Sequence, residues 1–113
     1  MFPKRGEVHL IVLDPILGKE IGKTRPALVV SNDFNNQYAE TITVAPITSA
    51  IQKVYPFEVL IEAGVAGLNR DSKVKCNQIR TVDKRRLVKL VGRLPEGKME
   101  AVNRALEIHL GLR

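Results

Sequence analysis

Gly22-Lys23-Thr24-Arg25-Pro26-Ala27-Leu28-Val29-Val30-Ser31-Asn32-Asp33 is the stretch from which the rest of this chain is read. A charged lead runs into the apolar residues Ala27 to Val30, which form a strand. Ser31-Asn32-Asp33 then closes that strand with turn chemistry. Pro26 has no N–H to donate, so it fits the first residue or the edge of a strand. It also biases Arg25 towards extended backbone. The guanidinium therefore stands at the mouth of a strand. That placement suits a fixed positive charge meant for a phosphate, and it equally suits a solvated arginine before an ordinary strand.

Upstream, Val8 to Leu13 is apolar at nearly every position and reads as a buried strand that stops at Asp14-Pro15. Residues 14–24 then make a long loop, of the kind that is usually functional in a compact domain. Downstream, Thr41 to Ala45 is a third strand halted at Pro46, with Ile47-Thr48-Ser49 as a short turn. Phe57 to Ile61 alternates as a strand with one wet face. Ala63 to Arg70 holds Gly64 and Gly67 and reads as a loop. Two more strands fall within Ser72 to Thr81, Asp83 to Arg86 is a polar turn with a short helical cap, and Leu87 to Val91 resumes strand character.

At Pro95, a helix-starting residue, the period changes. Met99, Val102, Leu106 and Leu110 form one apolar stripe, widened by Ala105 and Ile108. Many short strands followed by one amphipathic helix, with no βαβ alternation, predict a mainly β (α+β) fold. It would be a small antiparallel barrel or sandwich with a helix packed on it. A chain of 113 residues suffices for one such domain, spanning 1–113. With no Trp and 4% aromatic residues, the core must be Val, Ile and Leu.

The net charge of +6 is unevenly placed. Residues 1–69 balance at −1 and residues 94–113 at zero, whereas residues 70–93 carry nine Lys/Arg against two Asp/Glu. Such a segment points to a polyanionic partner, nucleic acid or acidic protein. The single Cys76 rules out an internal disulfide and a multi-cysteine metal site. No apolar run reaches membrane-span length, and Met1 to Glu7 lacks the apolar core of a signal peptide, so the cytoplasm is expected.

Several chemistries are absent. No glycine-rich phosphate loop occurs. His9 and His109 sit on a strand and on the terminal helix and read as structural or surface residues. Cys76, in a predicted strand, reads as a small buried hydrophobe. What remains is polar and loop-borne: Glu20, Lys23 and Arg25 around the first loop, Thr48 and Ser49 after Pro46, and Gln78 with Arg80 in the basic segment. Phosphodiester cleavage needs a positive group at the charged transition state and orienting hydrogen bonds. Arg25 and Thr48 are of the right types.

Arg5-Gly6-Glu7-Val8, Gly18 to Pro26, Val44-Ala45-Pro46-Ile47-Thr48, Tyr55-Pro56-Phe57-Glu58-Val59, Asp71-Ser72 and Gln78 to Asp83 occur in order from about residue 4 onward. In these blocks the chain resembles the MazF/PemK family, the ribonuclease toxins of bacterial toxin–antitoxin pairs. The resemblance implies a small SH3-like barrel with one or two short helices besides the terminal one, acting as a homodimer. It implies cleavage of single-stranded RNA without metal or other cofactor, and an antitoxin whose acidic, disordered tail blocks the groove. The family's catalytic arginine and threonine fall on Arg25 and Thr48, its loop glutamate on Glu20, and its later glutamine on Gln78. Lys19, Lys23, Thr24, Ser49, Gln78 and Arg80 are the expected RNA contacts.

The expected reaction is attack of the RNA 2′-OH on the adjacent phosphate, leaving a 2′,3′-cyclic phosphate and a 5′-OH. Arg25 would stabilise charge, Thr48 would orient the phosphate or the 2′-OH, and Glu20 would be either base or surface ion-pair partner. Stacking on bases would fall to Tyr38, Tyr55, Phe34 or arginine planes, with Phe57 in the core. Two alternatives stand beside this: a non-catalytic nucleic-acid-binding barrel, and a gyrase-poisoning toxin resembling CcdB. The latter acts through a tryptophan-bearing tail, whereas this chain ends His109-Leu110-Gly111-Leu112-Arg113.

Overall fold

The apolar runs assemble into one antiparallel sheet in the computed structural model, which describes residues 1–112. Its strands are β1 (Glu7–Val12), β2 (Thr24–Val29), β3 (Thr41–Thr48), β4 (Glu58–Ile61), β5 (Ser72–Lys75), β6 (Arg80–Asp83) and β7 (Leu87–Arg93). Helix α1 (Asp33–Tyr38) follows β2, and α2 (Glu96–Leu110) ends the chain. The strand order is β4-β5-β3-β2-β1-β7, with β6 also on β3. The expected mostly antiparallel fold with a C-terminal helix is present, and the sheet does not close into a complete barrel.

β2 and β3 are buried on both faces, which is why their sequences read as nearly continuous apolar runs. Leu28, Ala45 and Ile47 join Val8, Val59, Ile61 and Val74 in a core capped by Met99, Val102 and Ala105 of α2. Ala27, Val29, Ile42 and Val44 point the other way, into a second core with Ile11, Leu13 and Val82. Pro95 is the N-cap of α2, Glu96 lies in its positive first turn, and Gly111 ends it at φ 71°. The end of the helical stripe departs from expectation: Ile108 and Leu110 are half-exposed, because the sheet runs out beneath the last turn.

Other boundaries moved for identifiable reasons. β2 begins at Thr24, so Arg25 lies inside the strand, paired with Ile11. β3 is not halted at Pro46 but runs on to Thr48, so Thr48 belongs to a strand and not a turn. Pro46 is tolerated because β3's outer neighbour is interrupted near it. β6 covers Thr41 to Val44 and β5 covers Ile47 and Thr48, with the 3₁₀ turn Cys76–Gln78 between them. Cys76 accordingly sits in that turn rather than in a strand, although it is fully buried as expected.

The turn read at Ser31 to Asp33 leads into α1, whose N-cap Asn32 accepts from the Asn35 amide at 2.8 Å. The loop over residues 63–70 contains a 3₁₀ turn, Val65–Gly67. Gly67 (φ 75°) packs so closely on Val91 that a Cβ would strike that residue's backbone. Phe57 is only half-buried and stacks on Tyr55, outside both cores.

Candidate functional site

The site arises where β2 and β3 part company. Their ladder pairs Val29 with Val44, Leu28 with Ala45 and Ala27 with Pro46, and there it ends. Two residues further along each strand stand Arg25 and Thr48, which the same register would set opposite each other. Instead β2 stays with β1 (Pro26 with Leu10, Arg25 with Ile11) and β3 stays with β5 (Ile47 with Val74, Thr48 with Lys73). The splay opens a cleft of about 260 Å³ lined by Arg25, Thr48, Ser49, Asn69 and Arg70, among others. Pro26, on the strand edge that faces this opening, has no ladder donor to leave unpaired.

Both principal side chains are oriented with donors to spare. The half-buried Arg25 gives its Nε to the Gly22 carbonyl at 2.9 Å, and among the described residues neither terminal nitrogen has a partner. At Gly22 a Cβ would displace the Asp14 carboxylate that accepts from the Lys23 amide at 2.8 Å. Thr48 Oγ1 accepts from the Ala50 amide at 3.2 Å, which leaves the hydroxyl proton free to donate.

Thr48 is also a wall of a second cleft, of about 420 Å³, with Lys53, Tyr55, Lys73, Lys75 and Gln78. Gln78 and Lys19 continue into a third, of about 490 Å³, lined also by Glu20, Asn77 and Arg80. Sharing these walls, the three form one groove that runs from the splayed ends of β2 and β3 past β5 to the 13–23 loop. In that groove Gln78 and Arg80 hold the loop: Gln78 Oε1 accepts from the Ile21 amide at 2.8 Å, and Arg80 Nη1 donates to the Leu13 carbonyl at 2.8 Å.

The structure thus brings Arg25, Thr48 and Ser49 together, and places Lys19, Gln78 and Arg80 further along the groove. Glu20 lies in the third cleft, apart from Arg25 and Thr48, with Oε1 accepting from the Leu17 amide at 2.6 Å to close a loop turn. Lys23 and Thr24 are exposed and line none of the three clefts.

The basic segment divides. Arg70, Lys73, Lys75 and Arg80 face the groove, while Arg85 pairs with Asp83 at 3.0 Å and Arg93 with Glu7 at 3.4 Å elsewhere. Sequence reasoning did not single out Arg70, Lys73 and Lys75 within that segment. Alternation along β5 would not have found them either, because Ser72, Lys73 and Val74 are all buried in succession.

Beneath the second cleft lies a buried carboxylate. Glu58, 5% exposed, is 3.0 Å from Lys73 Nζ through Oε1. Its Oε2 is at ion-pair distance from Lys75 Nζ, 2.9 Å, off the hydrogen-bond line. Burial pushes the Glu58 carboxyl up, but the Tyr55 amide and the two ammonium groups outweigh burial and hold it below the ordinary glutamate value. Burial, reinforced by the Glu58 charge, pushes the Cys76 thiol up to about 12, which leaves it inert as a nucleophile.

The fold is shared with proteins of known kind. Endoribonuclease MazF9 of Mycobacterium tuberculosis is 43% identical over 114 residues, covering 96% of this chain and 97% of that protein. Endoribonuclease EndoA of Bacillus subtilis is likewise 43% identical, over 99% and 97% of the two chains. The crystal structure of MazF from Deinococcus radiodurans superposes with a TM-score of 0.86 at 28% identity, covering 98% of each chain. A mycobacterial endoribonuclease in complex with its cognate antitoxin superposes with a TM-score of 0.81 at 26% identity, over 98% of this chain and 97% of that one. Residues 4–110 match the PemK-like, MazF-like toxins of type II toxin–antitoxin systems, and the chain belongs to that family.

Proposed function

We propose that this protein is an endoribonuclease toxin that cuts single-stranded messenger RNA at short sequences and is restrained by a cognate antitoxin. The observation that carries the reading is the pair at the splay of β2 and β3. Arg25 offers two unpartnered terminal nitrogens and Thr48 offers a free hydroxyl proton, in one cleft that opens into a basic groove. Relatives of 43% identity over almost the whole chain, named as endoribonucleases, support it.

In this reading the RNA 2′-oxygen forms a bond to phosphorus as the bond from phosphorus to the 5′-oxygen breaks. The 2′-OH proton passes to a base, the leaving 5′-oxygen takes a proton from solvent, and the products are a 2′,3′-cyclic phosphate and a 5′-OH. Arg25 takes the non-bridging oxygens, where charge builds, in its planar cationic fork. Thr48 donates to a phosphate oxygen and fixes its orientation. Glu20 is the proposed base, acting through Oε2 while Oε1 closes its turn; from the third cleft it serves only if the bound RNA or the loop brings the 2′-OH within its reach. Glu20→Gln tests that role: a fall in kcat with unchanged melting supports the base, and a lower melting temperature with unchanged kcat assigns it to the turn.

Incubating the wild type and Arg25→Ala with single-stranded RNA in EDTA tests the whole reading. Cutting by the wild type alone supports it, and binding without cutting would return the protein to a non-catalytic binding module. Continued cutting at a position where the substrate carries a single 2′-deoxy sugar would sink the internal attack. The partner is inferred from relatives solved with their antitoxin. An acidic tail complements the groove's Lys19, Lys53, Lys75 and Arg70, so RNA and antitoxin would compete. The homodimer follows the same family. The cytoplasm is the proposed location because messenger RNA is there; among the described residues no helix is long and apolar enough to cross a membrane.

A further inference from the structure

Glu58 has no part in the cleavage chemistry, yet a carboxylate buried with two lysines needs an explanation. Such a cluster is weak evidence for stability, because desolvation offsets most of the attraction. Its hydrogen bonds indicate its use. Oε1 accepts from the Tyr55 amide at 2.9 Å, and Lys73 Nζ, tied to the same oxygen, also donates to the Lys53 carbonyl at 2.6 Å. Both bonds end on the segment between β3 and β4, at the two residues that carry a cation and an aromatic ring into the second cleft.

That segment is otherwise exposed chain with little to hold it. Lys53 Nζ lies 4.8 Å from the Tyr55 ring centroid, and Phe57 stacks parallel to that ring at 5.3 Å. Tyr55 remains 41% exposed. Lys73 is buried by its two acceptors, whereas the exposed Lys53 and the partly exposed Lys75, paired with Glu58, line the cleft. Four lysines, Lys19 among them, against one carboxylate leave this cleft positive, and Thr48 is a wall common to it and to the Arg25 cleft.

We infer that Lys53, Tyr55 and Lys75 form a nucleotide subsite beside the Arg25–Thr48 cleft, and that Glu58 is the positioning residue that holds it in place. Phe57 covers one face of the Tyr55 ring, so the base stacks on the other as the Lys53 ammonium leaves it to meet, with Lys75, the phosphate of a nucleotide adjoining the cut. This rests on the ribonuclease reading and deepens it, giving the enzyme a grip on a neighbouring nucleotide that takes no part in the chemistry.

The test begins by mapping the wild-type cut in a long transcript. A short single-stranded oligoribonucleotide carrying that cut is then made with an abasic sugar, or with a neutral methylphosphonate, walked through the flanking positions. At one position the abasic substrate should lose about tenfold in kcat/KM with the wild type, mainly through KM. Tyr55→Ala should lose the same factor on the intact substrate and nothing further on the abasic one. Lys75→Gln should behave in this way towards the methylphosphonate. Glu58→Gln should resemble Tyr55→Ala, raising KM while leaving kcat near the wild type.

Losses that multiply at every position, with variant and substrate acting independently, overturn the subsite, and the Tyr55 and Lys75 arms decide it whether or not the Glu58 variant folds. A wild type that cuts no RNA fails earlier, at the mapping step, and removes the ribonuclease reading instead.

Discussion

At the scale of the residue, the proposed chemistry rests on side chains that keep a donor in reserve. Arg25 spends its Nε on Gly22 and retains its terminal fork. Arg25→Ala is expected to reduce kcat by about 10²–10³-fold. Arg25→Lys should recover only part of that loss, because an ammonium restores the charge but not the planar fork; single-turnover rates on one RNA give the comparison. Thr48→Val keeps the shape and removes the hydroxyl. It should lower kcat, and it should cost about 0.5–1.5 kcal/mol of stability, since the Ala50 amide loses its acceptor. Cys76 has no exposed surface and its thiol is pushed up to about 12, so at pH 8 iodoacetamide should leave it unmodified until denaturant is added. Rapid labelling of the folded protein would contradict the burial.

Elements fix where those side chains stand. Helix α2 presents one apolar stripe in sequence, but the sheet lies only under its first three turns. Met99→Ala should therefore cost about 2–5 kcal/mol in chemical denaturation, whereas Leu110→Ala should stay within about 0.5 kcal/mol. β4 carries Glu58 into a cluster that favours its charged form, so its folded pKa lies below its unfolded one. The stability this contributes is complete above the ordinary glutamate range and is lost as pH falls through the lower, folded value. Glu7, also held below the ordinary value, acts in the same sense. Melting temperature should fall on acidification below about pH 4.5, and Glu58→Gln should flatten that fall.

For the molecule as a whole, what matters is which face its charge occupies. Arg70, Lys73, Lys75 and Arg80 line the groove, while Arg85 is tied to Asp83 away from it. RNA affinity should fall with salt, with a log–log slope of about −0.7 for each phosphate contacted. Arg70→Gln should flatten that slope by about one such contact, and Arg85→Gln should leave it unchanged, as measured by fluorescence anisotropy over a potassium chloride series. Equal effects from both would mean that the basic segment acts as an undivided field.

The sequence by itself determined the apolar runs that make strands, Val8 to Leu13 and Ala27 to Val30 among them, and the change of period at Pro95. These follow from backbone sterics and from apolar spacing, which are local. It also determined the chemical types available at Arg25 and Thr48. Only the tertiary structure decided that these two residues meet. Their encounter depends on the Ala27–Pro46 register and on β2 and β3 following different neighbours beyond it, a long-range pairing that no local window contains. The same holds for Lys73 and Lys75, whose place in the groove is set by Glu58 fifteen or more residues away. Pro46 marks the limit of local reading: a proline ends a strand that needs its N–H, and here the neighbouring strand is interrupted beside it, so β3 continues to Thr48.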